Sequence, residues 1–377
     1  MDLGPYKAQK LLAETIDPAT RHKLAAQVYF PVRGANVDDT GVPFAALVFV
    51  PGTLVPGSFY AGTAEHLASH GYVVAVPSHP RGSMEDRTFD VQRLLSYLEG
   101  ENSNSKSPLY RVIDVRRFAT LGHSLGGTTA LAVAARDRRV EHAVVALDPV
   151  NPARNRWDCE EEGEDVAAAV GLIGAPAHLC NWYGRYEKEF PSIGRGHKAK
   201  IIITGASHCE FMGPTNPLAR LFCTVVCGGY LGKARMELIA HYTRAWLDYY
   251  VRLQADRYDC LYGDRSAHDI RLGLIRMEVH TAPSGLVANG RPGAVELRWG
   301  LCRHPIVEGY NVYRSVSDGE YGDVPYAQVG VVDSYLDTDV VPGVTYGYRV
   351  RSIDEAGNEH QNSDVVTAVP GTEAQSS

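Results

Sequence analysis

Between residues 24 and 204 the chain carries six short, almost uninterrupted apolar runs, and their spacing restricts the fold more than any other feature. They are Leu24-Ala25-Ala26-Gln27-Val28-Tyr29-Phe30, Ala45-Ala46-Leu47-Val48-Phe49-Val50, Tyr72-Val73-Val74-Ala75-Val76, Arg117-Phe118-Ala119-Thr120-Leu121, His142-Ala143-Val144-Val145-Ala146-Leu147 and Ala199-Lys200-Ile201-Ile202-Ile203-Thr204. Runs without polar alternation suit parallel strands buried on both faces. Helical patterns fall between them. Residues 61–70 stop at Gly71, residues 89–98 carry Phe89, Val91, Leu94, Leu95 and Leu98, and residues 236–253 form a long amphipathic stretch after the last run. Strand–helix–strand alternation predicts an α/β fold, a doubly wound, mostly parallel sheet with right-handed crossovers.

Near residue 280 the helical period disappears. Short alternating runs follow: Val295-Glu296-Leu297-Arg298-Trp299, Gly309-Tyr310-Asn311-Val312-Tyr313-Arg314 and Thr345-Tyr346-Gly347-Tyr348-Arg349-Val350-Arg351. Pro283, Gly290, Pro292, Gly293, Pro342 and Gly343 punctuate them, as in an antiparallel sandwich. A chain of 377 residues also suits two domains. The expected organisation is an N-terminal extension over 1–20, an α/β domain over 21–278, an all-β sandwich over 279–370 and a small, polar, disordered tail over 371–377.

With 37 Lys and Arg against 44 Asp and Glu, the net charge is −7, which argues against a nucleic-acid partner needing a basic face. No stretch approaches the ~20 apolar residues of a membrane-spanning helix. The opening Met1-Asp2-Leu3-Gly4-Pro5-Tyr6-Lys7 has no charged-then-apolar signal pattern, so an intracellular protein and a processed mature form both stay open. None of the seven cysteines forms a CxxC pair, which speaks against a zinc ribbon or a redox motif. Cys223 and Cys227 share a face if their segment is helical, and either has the reach to meet Cys209. Buried free thiols and at least one disulfide are both compatible with the spacing.

The strongest chemical signal is Gly122-His123-Ser124-Leu125-Gly126-Gly127. It matches G-x-S-x-G, follows a predicted strand and precedes the helix-compatible residues 128–135. A sharp strand-to-helix turn strains the serine backbone and exposes its Oγ at the sheet edge, while flanking glycines allow close approach. Ser124 is therefore the candidate nucleophile. The amide of Leu125 is one candidate oxyanion donor. That of Thr53, in Val50-Pro51-Gly52-Thr53 after an earlier strand, is the other.

A serine hydroxyl needs a base, and in this fold the chain order is Ser, acid, His. His208, in Gly205-Ala206-Ser207-His208 just past the last apolar run, is the candidate base; His178, His197 and His241 compete. Asp148, directly after the fifth run in Leu147-Asp148-Pro149-Val150, is the candidate acid. Asp158 and Glu187 compete, and the next expected strand region, Ala177-His178-Leu179-Cys180-Asn181-Trp182-Tyr183, offers no carboxylate. Asp148 would hold the His208 tautomer and stabilise the imidazolium. This chemistry requires no metal and no organic cofactor.

These residues resemble a known group. G-H-S-x-G-G, an Asp in L-D-P-V about two dozen residues on, and a strand-end His look like the chlorophyllase and platelet-activating-factor acetylhydrolase branch of the α/β-hydrolases. They are also similar to dienelactone-hydrolase-like and polyester hydrolases, cutinase-like enzymes included. The resemblance covers roughly residues 20–275 and implies a serine hydrolase cleaving carboxylic esters. The place of Asp148 departs from the cutinase-like enzymes, which take their acid from the following strand, and Leu125 departs from chlorophyllases, which usually carry Arg there. Residues 283–370, with Pro283, Trp299, Gly309-Tyr310-Asn311-Val312-Tyr313-Arg314 and Tyr335, look like a fibronectin type III domain. In bacteria such modules accompany secreted depolymerases, which implies an extracellular enzyme, a polymeric ester substrate, and a module that contacts polymer, cell surface or another protein.

Trp157, Trp182 and Tyr183 fall in loops beside the expected site, and Phe211, Met212 and Pro214 follow His208. Exposed there, the aromatics would stack on substrate; ordinary loop anchoring is the alternative. No insertion reads as a lid, so an open cleft for short-chain or polymeric esters is expected. A lipase or acetylhydrolase acting on lipid esters, and a catalytically silent binding module, are the competing readings.

Overall fold

The computed structural model describes residues 2–17, 20–32, 43–53, 55–78, 82–151, 157, 162–177, 180, 186, 190, 193–194, 197–214, 221, 225, 231–280, 283–301, 307–317, 319–353, 357 and 359–372. The chain divides into two compact units. One comprises Met1–Gly194 and Ala199–Glu278, the other Val279–Ser377 with the short stretch Arg195–Lys198. Among the described residues no helix is long and apolar enough to cross a membrane.

The first unit is built on a sheet whose strands are β1 (Lys7–Ile16), β2 (Lys23–Val32), β3 (Phe44–Val50), β4 (Tyr72–Pro77), β5 (Ile113–His123), β6 (Ala143–Leu147), β7 (Ala169–Gly174), β8 (Lys198–Ile203) and β9 (Ile275–His280). Their spatial order is β1-β2-β4-β3-β5-β6-β7-β8-β9. The strands from β4 through β3, β5 and β6 to β7 pair in parallel. Every residue of β3, β4, β6 and β7 is buried, as a sheet covered on both faces requires.

Three expectations need correction. The first apolar run, in β2, is antiparallel to β4 rather than parallel. The supposed extension contains β1, paired with β2 from Lys7↔Val32 to Ile16↔Lys23. Its sequence, with only Ala13 buried, carries little strand signal, and the partner strand decides its conformation. The strand after β6 is Ala169–Gly174, ahead of the 177–183 region where it was expected.

Helices α1 (Ala61–Ser69), α2 (Met84–Ser103), α3 (Leu125–Arg136) and α4 (Lys233–Tyr250) accompany the sheet. Ser83 caps α2 by accepting from the Asp86 amide at 3.0 Å. Val91, Leu94, Leu95 and Leu98 of α2 join Leu131 and Val133 of α3 and Val48 and Val144 of the sheet in one core. The Trp246 ring of α4 lies where a side chain at Gly171 of β7 would project.

In the second unit, β10 (Ser284–Arg291), β11 (Ala294–Gly300) and β14 (Ser334–Asp337) form one sheet. The other is β13 (Ala327–Val329), β12 (Gly309–Val316), β15 (Tyr346–Ile353) and β16 (Glu359–Asn362), with β17 (Val366–Ala368) on β15. Val295, Leu297, Trp299, Tyr310, Val312, Tyr348 and Val350 fill a core of their own. Buried Asp337 accepts from Tyr348 Oη at 2.7 Å and pairs with Arg314 at 2.9 Å. The polar tail falls largely on 373–377, outside the described residues.

Candidate active site

β5 runs straight into α3 through one residue, Ser124, with φ +59° and ψ −128°. This is a sparsely populated conformation for a residue with a side chain, costing on the order of 1–3 kcal/mol. The glycines make the turn possible. A Cβ on Gly122 would lie 2.0 Å from Gly126 O, and one on Gly126 would lie 2.1 Å from Val50 O. The turn is locked to the neighbouring strand because Ser124 N–H donates to Leu147 O at 3.0 Å, and Val150 N–H donates to Ser124 O at 3.1 Å. Ser124 keeps part of its surface in solvent at the N-terminus of α3, where first-turn amides such as that of Leu125 lack intrahelical partners.

Asp148 leaves the end of β6 with φ +38° and is completely buried. Its Oδ1 accepts from the Ala175 amide past β7 at 3.1 Å, and its Oδ2 lies 2.5 Å from Nδ1 of His208. His208 begins the short 3-10 turn His208–Met212 that follows β8 and is 7% exposed. The three residues thus come from the ends of β5, β6 and β8 at one sheet edge. His241 lies inside α4, and His178, Asp158 and Glu187 lie outside the described residues.

The turn carrying His208 is tied down by a residue that the sequence reading passed over. Glu210, fully buried, accepts from Ser207 N–H at 2.7 Å and from Gly232 N–H at 2.6 Å, and it pairs with Arg235. The Ser-x-x-Glu spacing over Ser207–Glu210, a helix-start pattern, is the signal that would have found it. Cys209, next to His208, is disulfide-bonded, as is Cys180. Cys260 is a free thiol, and Cys159, Cys223, Cys227 and Cys302 lie outside the described residues.

After β3 the segment Pro51-Gly52-Thr53 runs beside Ser124; a Cβ on Gly52 would sit 3.2 Å from Ser124 Cβ. Thr53 is exposed, whereas Pro51 and Gly52 are buried. Arg87 of α2, 4% exposed, donates from Nη2 to Pro51 O at 2.9 Å and from Nε to Thr129 Oγ1 at 3.2 Å. Burial pulls its guanidinium down to a pKa of about 10.

Against this geometry, residues 14–227 match the family model described as PETase, PET hydrolase-like, over more than half of the chain. The chain belongs to the PET hydrolase-like family. Among curated proteins it is 26% identical over 167 residues to cutinase est2 of Thermobifida alba, a match covering 44% of this chain and 53% of that one. It is 26% identical over 244 residues to chlorophyllase-1 of Citrus sinensis, covering 58% and 71%. A match 36% identical over 89 residues, to an amylopullulanase of Thermoanaerobacterium saccharolyticum, covers 23% of this chain and 7% of that protein. The chain spans about half the length of the cutinase it matches.

For this PET hydrolase-like chain, the aromatics expected to line the cleft divide into two groups. Trp157 is 1% exposed and packs in the core, its Nε1–H donating to Glu162 at 3.2 Å and its amide to Asn151 Oδ1 at 3.1 Å. It is a loop anchor and not a stacking platform. Phe211 is also 1% exposed and lies parallel to the His123 ring, 6.5 Å away, so it backs the site from inside the protein. Met212 is equally buried. Burial decides both cases, and no local pattern distinguishes a loop aromatic turned inward from one turned outward. Trp182 and Tyr183 lie outside the described residues.

Proposed function

We propose that this protein is a carboxylic ester hydrolase in which Ser124 attacks the ester carbonyl, His208 takes the serine proton and Asp148 holds the His208 tautomer. The observation that carries the reading is the 2.5 Å contact from His208 Nδ1 to buried Asp148, at the sheet edge where Ser124 occupies its strained turn. The amides of Thr53 and Leu125 receive the oxyanion, His208 then protonates the departing alcohol, and water hydrolyses the acyl-enzyme with His208 again as base. The sequence likeness to a cutinase and a chlorophyllase supports ester substrates, and membership of the PET hydrolase-like family supports short-chain or polymeric ones. The second unit, a two-sheet structure around a buried Trp299, is read as a fibronectin type III-like module acting as spacer or polymer attachment. The disulfide-bonded Cys180 and Cys209 favour an oxidising, extracellular setting.

Hydrolysis of p-nitrophenyl acetate, butyrate, octanoate and palmitate by the wild type and Ser124→Ala tests the reading. Turnover in the wild type that disappears in the variant and is highest on the short esters is expected. Rates rising steadily to palmitate would select a lipase instead, and an unaffected variant would remove Ser124 from the chemistry.

A further inference from the structure

The residue just before the serine of the G-x-S-x-G motif has a fully internal side chain. His123 is 2% exposed, and its two ring nitrogens meet different partners: Nε2 lies 2.9 Å from His208 O and Nδ1 lies 2.9 Å from Tyr60 Oη. Tyr60, completely buried, also receives the Gly52 N–H at 2.9 Å. The roles follow from the inventory of donors. A carbonyl only accepts, so Nε2 carries the proton; the Nδ1 of a neutral ring accepts, so Tyr60 donates its hydroxyl proton to it. Tyr60 then has a lone pair for Gly52. Burial raises the Tyr60 pKa well above that of a free phenol, which keeps the proton available for donation.

We infer that Tyr60 and His123 are positioning residues that join the oxyanion loop to the backbone of His208 through one buried chain of hydrogen bonds, anchored at its far end by Arg87. The inference rests on the proposed roles of Ser124, Asp148 and His208. From the anchor, the chain runs from the Arg87 guanidinium to Pro51 O, through the Pro51–Gly52 peptide to its N–H, then to Tyr60 Oη, to His123 Nδ1, and from Nε2–H to His208 O. All the donors point the same way. In a buried, low-dielectric interior such bonds polarise one another, and the cation at the first carbonyl reinforces the Gly52 N–H. Two consequences bear on turnover. The amide of Thr53 follows directly on the anchored Gly52, so the chain sets where that donor stands relative to Ser124. His208 is gripped twice, at its ring by Asp148 and at its carbonyl by His123. The His123 and His208 rings lie only 4.4 Å apart, so a charged His123 would oppose the imidazolium that His208 must become. The Tyr60 hydroxyl bond favours the neutral ring.

The test compares full-length wild type, Tyr60→Phe, His123→Phe and His123→Gln on p-nitrophenyl butyrate, with Ser124→Ala as the blank. Folded Tyr60→Phe and His123→Phe are expected to lose at least tenfold in kcat with KM within twofold. His123→Gln, whose amide keeps one donor and one acceptor at its tip, is expected to stay within threefold of the wild type. Wild-type kcat in both Phe variants, a loss confined to KM, or a Gln variant no better than the Phe one would overturn the inference. Should the variants fail to fold, histidine 15N spectra of the wild type decide: a neutral Nε2–H tautomer at His123 from pH 5 to 8 is required, and an Nδ1–H or charged ring ends the idea. Wild type without turnover on any ester, or turnover surviving in Ser124→Ala, would defeat the underlying reading of the site instead.

Discussion

At the scale of single residues, one carboxylate and two imidazole environments make definite demands. Asp148 has one oxygen on the Ala175 amide and the other on His208, so changing it to Asn keeps the shape but offers an amide where the ring nitrogen needs an acceptor. Asp148→Asn is expected to lower kcat by ~10³–10⁴-fold with KM little changed; steady-state kinetics with a check of folding by circular dichroism measures it. His66 and His241 carry a different consequence. The pKa of His66 falls to about 4 through burial first and then the charges of His70 and Arg244; that of His241 falls to about 4 through burial and then Arg265 and Arg244. In the unfolded chain both titrate near ~6.5. As pH falls below that value the unfolded state takes up protons that the folded state refuses, so their stability contribution is complete above ~6.5 and disappears as pH drops towards ~4. After allowance for solvent screening the pair should cost on the order of 2 kcal/mol over that window. Urea midpoints at pH 7, 5.5 and 4.5 should show the fall, and a His66→Asn, His241→Asn double variant should flatten it.

At the scale of elements, the site is a set of strand ends held by short tethers. The turn bearing His208 is only five residues long, and Glu210 tethers it by accepting from the Ser207 and Gly232 amides and pairing with Arg235. Glu210→Ala removes that carboxylate from a fully buried position and should destabilise the fold by ~2–4 kcal/mol. It should also lower kcat more than Glu210→Gln, which keeps one acceptor. Thermal melts and kinetics on the same preparations check both, and equal kcat values for the two variants would show that the tether does not govern the turn. β1 illustrates the opposite case, an element with weak intrinsic signal that exists because ten residues of β2 stand beside it.

At the scale of the whole molecule, Ser124, Asp148, His208, Thr53, Tyr60, His123 and Arg87 all belong to the first unit, and the second has a separate core around Trp299 and Tyr310. A chain ending at residue 282 is therefore expected to hydrolyse p-nitrophenyl butyrate with kcat within twofold of the full chain. If the second unit serves attachment, the same truncation should release less product from an insoluble polyester film. A soluble-ester kcat reduced tenfold in a folded truncate would mean that the two units share the chemistry.

Much of this protein was readable in one dimension because its rules are local. Apolar runs of strand length announced β3, β4, β5, β6 and β8, and the glycine pattern around Ser124 announced the turn between β5 and α3, since only glycine tolerates the approach of Gly126 to Val50 O. Strand-end positions also pointed to Asp148 and His208, whose meeting at 2.5 Å the fold then provides. What needed the tertiary structure depends on partners distant in sequence. The antiparallel setting of β1 and β2 is a matter of pairing, and the inward turn of Trp157 and Phe211 is a matter of burial. The chain from Arg87 through Tyr60 and His123 to His208 joins α2, the segment leading into α1, the end of β5 and the turn after β8. Sequence by itself determined which residue types could react and on which strand ends they stand; the folded chain alone decided which polar groups were sealed from water and so had to find one another.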